Sequence, residues 1–197
     1  AAPVAAELRG KVEIHLFDGG YCGVNIVDGG AVNVCVLAEE RVFAAAASSP
    51  RRDAISKLAR LSPSLRDRIE ALRPDGEPLA VAQLTFTAKE PSAGSILFIG
   101  DAVGMIAPLC GDGQAMALES AILLAELMAH NDGENLPKIW DDVWRQRFAS
   151  RLRAGRWLQA LLMRPGAAEA SIRLLKPLPF LAASLLAQTR GALTEKA

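Results

Sequence analysis

Residues 12–16, VEIHL, alternate apolar and polar side chains, which is the period of a half-buried β-strand. FDGG then turns the chain. YCGVNIV and AVNVCVL flank DGG, an arrangement that predicts a β-hairpin. Two turns compete for its register. An Asp28-Gly29 turn sets Cys22 opposite Cys35, either as a redox pair or as two small buried hydrophobes. A Gly29-Gly30 turn separates them and leaves two small buried hydrophobes.

From about Ser49 the period lengthens. SPRRDAISKLARL and SPSLRDRIEAL each open on Ser-Pro, a cap and first-turn pair, and space their apolar residues by three and four. Two short helices are expected there. PDGEP reads as a loop. LAVAQLTFTA reads as a strand that alternates well from Val81 to Phe86, KEPSAG as a turn, and SILFIG as a buried strand ending at Gly100. A helix over 114–129 follows. HNDGENLP links it to a second helix over 137–162 with Trp140, Val143, Trp144 and Phe148 on one side. RPGAA breaks the chain, and helices over 168–176 and 179–192 close it. Antiparallel strands, a helical insert, one strand–loop–helix unit and then helices alone make an α/β (α+β) chain. It has too few βαβ units for a complete doubly wound domain.

Composition narrows the class. Of 197 residues, 51% are hydrophobic and 22% charged, the balance of a packed globular protein. The net charge is zero, so nothing in the whole-chain balance points to nucleic acid. The zero conceals an asymmetry: residues 1–137 hold 11 basic against 18 acidic side chains, and residues 138–173 hold 8 against 3. A basic helix carrying Arg145, Arg147, Arg151, Arg153 and Arg156 is either a solvated face or a surface for an anionic partner. The five do not fall on one narrow stripe. Cys22, Cys35 and Cys110 show no metal-ligand spacing with His15 or His130, and sparse cysteines suit a reducing compartment. No signal peptide is evident, and PLPFLAASLLAQT is too short to cross a bilayer. A cytoplasmic chain is expected, with room for contact at a membrane surface.

The candidate chemistry lies in residues 99–121, IGDAVGMIAPLCGDGQAMALESA. A helix starting near Gly113 presents unpaired backbone N–H groups and partial positive charge at its first turn. Glycines at 111 and 113 let a ligand approach the backbone, and Pro108 stiffens the loop. Asp101 sits at the C-terminal end of the expected strand, where open sheets place ligand-contacting residues. Its carboxylate can accept hydrogen bonds from sugar or polyol hydroxyls and repels phosphate. A hydroxylated chain beside Asp101 and an electron-rich group at the helix start satisfy both ends. A plain turn followed by a capped helix is the alternative on spacing alone.

The same stretch closely resembles the second flavin-binding motif of the para-hydroxybenzoate hydroxylase superfamily, in which Gly-Asp, a proline seven residues after the Asp and a glycine-led helix recur. The resemblance covers about 25 residues. It implies that Gly100 and Asp101 hold the ribityl chain of FAD and that Pro108 lies against the isoalloxazine edge. It also implies that the loop through Gly111 and Gly113 brings the N–H groups of Gln114 and Ala115 to the flavin N1/C2 carbonyl end. Gly104 stands where aromatic hydroxylases usually carry histidine and where geranylgeranyl reductase-like members read GDAAG. GGYCGVNIVDGGAVNVCV is similar to those reductases' GGYGWxFPxGDGxxNVGV, matching at Gly19, Gly20, Tyr21, Gly29, Asn33 and Val34. It departs at Gly23 and Asn25, where the reductases carry tryptophan and phenylalanine, and at Val27, where they carry proline.

The expected architecture is therefore a partial para-hydroxybenzoate hydroxylase-like FAD/NAD(P)-binding fold: an antiparallel substrate-side sheet with a helical insert over 1–90, the second FAD motif over 91–130, and a C-terminal helical region over 131–197. No GxGxxG occurs in the sequence, so the unit that grips the FAD pyrophosphate is expected elsewhere, on a longer version of this chain or on another. Such a part should expose sheet edges and apolar faces unless it dimerises, and should bind FAD weakly by itself.

The implied function is FAD-dependent reduction of an apolar, prenyl- or polyketide-like small molecule with NAD(P)H as electron donor. O2-dependent monooxygenation is the alternative within the superfamily. A non-enzymatic helical module that docks a membrane or partner is the alternative outside it. Tyr21 and Cys110 are candidates for the substrate side of the flavin. No acid–base catalyst stands out, and His15, mid-strand, reads as a sheet histidine with its hydrogen bonds satisfied.

Overall fold

A computed structural model describes residues 6–46, 51–72, 77–131 and 133–189. The fold is mixed α and β with small antiparallel sheets, and it divides into two compact units: residues 1–82 with 162–169, and residues 83–161 with 170–197.

The first unit is built on strands β1 (Val12–Phe17), β2 (Gly20–Ile26) and β3 (Val32–Ala38), antiparallel in the order β1-β2-β3. The Gly19-Gly20 pair at the first turn has two separate causes. Gly19 has φ +76°, and a Cβ on Gly20 would lie 2.4 Å from the Phe17 ring. The second turn is neither of the two-residue alternatives. Asp28–Gly30 forms a 3-10 turn with Gly29 and Gly30 at φ +82° and +80°, closed by the Val27 N–H donating to the Ala31 carbonyl at 2.9 Å. The extra residue shifts the ladder, so Cys22 pairs with Val36 and Gly23 with Cys35. Side chains alternate along a strand, so the two thiols sit on opposite faces and the redox pair is excluded.

The face carrying Phe17, Cys22 and Val24 is covered by Leu58 and Ala59 of α2 (Arg51–Ala59) and Leu65 and Ile69 of α3 (Pro63–Leu72). Preceding them is α1 (Glu40–Ala46), a helix that the apolar pattern does not announce. It contributes Val42 to the same core. The Ser49-Pro50 cap lies outside the described residues, as does most of PDGEP.

Residues 79–88 are not a strand. They run irregularly, Gln83 takes φ 60°, and Leu79 and Val81 are 100% and 79% exposed. Alternation gives a segment two faces, but a strand also needs a neighbouring edge for its N–H and C=O groups. The two described sheets hold only β1–β3 and the short pair β4 (Ser92–Ala93) and β5 (Ile96–Leu97).

The expected buried strand at 95–100 shrinks in the same way. It becomes β5 (Ile96–Leu97), paired with β4 (Ser92–Ala93) across a tight turn, and Ile96 is exposed.

The second unit gathers around α4 (Gly113–His130) and α5 (Leu136–Leu162). Trp140, Trp144, Phe148 and Leu152 recur every four residues on one face of α5. They are buried with Val103, Ile106, Ala107, Cys110 and Met116. The Trp140 indole N–H is satisfied by the Phe98 carbonyl at 3.0 Å. Two further helices follow, α6 (Pro165–Leu175) and α7 (Pro179–Ala187); residues 190–192 of the expected last helix lie outside the described residues. No described helix is long and apolar enough to cross a membrane.

Candidate functional site

The loop between β5 and α4 is shaped by its packing. Gly100 begins a 3-10 turn (Gly100–Ala102) at φ +59°, and a Cβ there would meet the Ala117 Cβ of α4 at 3.2 Å. Its N–H donates to the Ser120 hydroxyl at 3.1 Å, and that hydroxyl donates to the Ala117 carbonyl at 2.8 Å. Only glycine meets both demands, the left-handed backbone and the close approach to the helix. Asp101 follows directly. It is exposed, and among the described residues no ion pair or hydrogen bond engages its carboxylate.

Gly104, three residues on, is buried. A Cβ would lie 2.7 Å from Leu152 Cδ1 and 3.4 Å from the Trp144 ring. A histidine at this position therefore has no space, which gives this glycine a packing cause.

Pro108 opens a second 3-10 turn (Pro108–Cys110) and is exposed. Gly111 closes it in the left-handed conformation at φ 68°. Nothing lies within 4 Å of a Cβ placed on Gly111, and only Ile106 Cγ2, at 3.8 Å, approaches one on Gly113. The backbone here is open to a ligand. Asp112 occupies the N-cap of α4 without a side-chain cap bond, and the first helical N–H with a carbonyl partner is Met116, bonded to Asp112 at 2.9 Å. The N–H groups of Gly113, Gln114 and Ala115 precede that first bond, and the Gln114 and Ala115 side chains are exposed.

The Asp112 carboxylate faces α5 instead. Its Oδ2 accepts from Arg151 Nη2 at 2.5 Å, while Arg151 Nη1 donates to Glu119 Oε2 at 2.5 Å. Arg147 donates to the other Glu119 oxygen. Arg151 is 5% exposed, and its guanidinium also lies 5.4 Å from the Phe148 ring centroid. Burial pushes the Glu119 carboxyl up, but Arg151 and Arg147 outweigh it and hold it below the usual carboxylate range.

The basic residues of 138–173 pointed to a charged face on α5 but not to its partners. A legible signal was present: Asp112 and Glu119 are two helical turns apart, and Arg147 and Arg151 are one turn apart. Arg145 pairs with Glu90 and Asp141.

The remaining candidates lie in the interior of their units. Tyr21 is buried in the first unit. Cys110 is buried in the second, against Ile106 and close to Gly155, and burial pushes its thiol up. Cys22 is pushed up to about 12 by burial, with a smaller contribution from Cys35.

His15 bonds Ser64 Oγ through Nδ1 at 3.1 Å and Glu13 through Nε2 at 3.3 Å, and Arg68 holds Glu13 at 2.6 and 2.9 Å. These residues, with Ile14 and Asp67, border an open cavity of about 540 Å³. Glu13 is committed to Arg68, and His15 has a partner on each ring nitrogen. No group of His, Cys, Asp and Glu among the described residues could hold a metal ion.

A scan against protein-family models finds no match, and a search of curated proteins finds none either.

Proposed function

We propose that this chain carries the second flavin grip and part of the substrate-side sheet of an FAD-dependent oxidoreductase. The observation that carries the reading is the pairing of an exposed, uncommitted Asp101 with an uncapped helix start at Gly113–Ala115, joined by a loop with open backbone at Gly111 and Gly113. These residues fit the group. Asp101 would accept from ribityl hydroxyls, and the N–H groups of Gln114 and Ala115 would face the electron-rich pyrimidine edge. FAD, when bound, supplies the electron transfer to or from a small-molecule substrate, with NAD(P)H as donor. The chain's own residues orient the group, leave it a backbone surface to approach, and offer positive partial charge at the edge that gains electrons.

The substrate is an apolar small molecule, and reduction is favoured over O2-dependent monooxygenation by the hairpin similarity. Gly23 leaves the open face of the sheet bare at a position where a Cβ would meet only the Cys35 carbonyl at 3.9 Å. A Cβ is accommodated there, so packing within the sheet does not force the glycine, and the bare position leaves more room on that face. The reading also requires a GxGxxG unit for the FAD pyrophosphate, which this sequence does not contain. The docking alternative loses support because Arg145, Arg147 and Arg151 are paired with carboxylates, leaving fewer uncommitted cations for an anionic surface.

The test is a titration of the ¹⁵N-labelled chain with FAD, followed by NMR, which registers even millimolar binding. Shifts should concentrate at residues 100–101 and 113–115 and vanish in Asp101→Ala. Shifts absent from these residues, or undiminished in Asp101→Ala, refute the assignment.

A further inference from the structure

Asp112 raises a question about α4. Aspartate is among the most favoured N-cap residues because its carboxylate satisfies the N–H groups of the first turn. It stands at that position, yet makes no such bond. Its Oδ2 is instead 2.5 Å from Arg151, a side chain that is 5% exposed and whose second Nη is spent on Glu119. The buried Nε has no partner. An ion pair buried at this cost is weak evidence for stability, since taking both charges out of water offsets most of their attraction.

What the arrangement achieves is electrostatic and local. A carboxylate capping the helix would place a negative oxygen where an electron-rich ligand belongs, and would occupy the same N–H groups. Asp112, Glu119, Arg147 and Arg151 together are neutral, so neither acid adds net charge to the helix start.

We propose that Arg151 is a positioning residue, which draws the Asp112 carboxylate off the start of α4 and so keeps the N–H groups of Gly113, Gln114 and Ala115 open to a bound electron-rich group. The identity of that group as the flavin edge rests on the function proposed above; the withdrawal of Asp112 does not.

Hydrogen exchange on the ligand-free, ¹⁵N-labelled full chain tests the withdrawal directly. In Arg151→Met the carboxylate returns to the helix end, and exchange at Gln114 and Ala115 slows about fivefold, the ratio that an N-cap of ordinary strength corresponds to. Arg151→Met/Asp112→Ala restores the wild-type rate, which a merely structural role for Arg151 would not do. Asp112→Asn, which leaves the buried arginine with Glu119 and is an equally good cap, slows exchange in the same way and carries the test if Arg151→Met does not fold.

Titration with FAD then reads the consequence. Shifts at 114 and 115 require roughly tenfold more FAD in Arg151→Met and Asp112→Asn, and recover in the double variant. Exchange at 114 and 115 that is unchanged or faster in folded Arg151→Met and Asp112→Asn overturns the proposal. So does a double variant that fails to recover. A wild-type chain that shows no FAD shift refutes the flavin reading alone, and the exchange result still decides the role of Arg151.

Discussion

Gly104 offers the sharpest test of how the loop is held. Its backbone is not in the left-handed region, so conformational strain does not enter, and the whole effect of Gly104→Ala comes from one added methyl. That methyl would lie 2.7 Å from Leu152 Cδ1, 3.4 Å from the Trp144 ring and 3.6 Å from Ala88 Cα. Leu152 and Trp144 are themselves buried, so neither can turn aside into solvent. Overpacking of this kind costs about 1–3 kcal/mol. Replacing glycine also restricts the unfolded chain, which returns about 0.4–1 kcal/mol. Taking the middle of each range, the net is a loss of about 1.3 kcal/mol, read as a lower urea midpoint at unchanged m. Leu152→Ala alone should cost about 2–5 kcal/mol through the cavity it leaves. In the double variant the new methyl moves into that cavity, so the losses should fall short of additivity by about 0.5–3 kcal/mol. Strict additivity, or a Gly104→Ala variant as stable as wild type, would show that Leu152 is not what confines this position.

Two further outcomes follow from burial and charge. A thiol reagent at mildly alkaline pH should label exposed Cys35 first and leave Cys22 unmodified in the folded chain, by mass spectrometry, because burial pushes the Cys22 thiol up to about 12 and keeps it protonated; equal labelling would overturn the register described for β2 and β3. Glu119 is held below its unfolded value, so its contribution is complete above the ordinary carboxylate range and disappears as pH falls through the folded pKa. The stability gap between wild type and Glu119→Gln should therefore shrink on acidification from roughly pH 7 to pH 2; a gap that stays constant or grows would mean the two arginines do not stabilise the ionised form.

The sequence announces elements that carry their own local cause. Ser62-Pro63 opens α3 where the cap pattern places it, and the glycine-led start of α4 and the aromatic face of α5 appear as the periodicity predicts. What it does not announce depends on partners. The alternation of Val81 to Phe86 is a property of the segment, whereas a strand is a property of a pair, and no described strand lies beside it. The register of β2 on β3 turned on a single residue in the Asp28–Gly30 turn, a backbone choice that three small turn-formers leave open. The helix at Glu40–Ala46 hides in an alanine run that shows no amphipathic period. For the loop, the turns at Gly100 and Gly111 and the helix start at Gly113 were legible from spacing, while the commitment of Asp112 to Arg151 required α4 and α5 to be laid together.

That last contrast bears on the ligand. Two aspartates, Asp101 and Asp112, belong to the same loop, and the fold treats them oppositely. Asp112 is neutralised by a buried guanidinium and turned from the helix end, while Asp101 is exposed with no described partner. A phosphate seated at Gly113–Ala115 would gain from the helix start but would have a free carboxylate on the same loop. A hydroxylated chain reverses that balance, since its O–H groups donate to Asp101 and bring no charge. The helix start is then left for an atom that is electron-rich without being an anion at rest, and that gains negative charge as the group is reduced. On the function proposed above, this distribution of charge suits a ribityl-like chain beside a reducible ring better than a nucleotide phosphate. Inorganic phosphate added in place of FAD should leave the amide positions of Gln114 and Ala115 unmoved in the wild type.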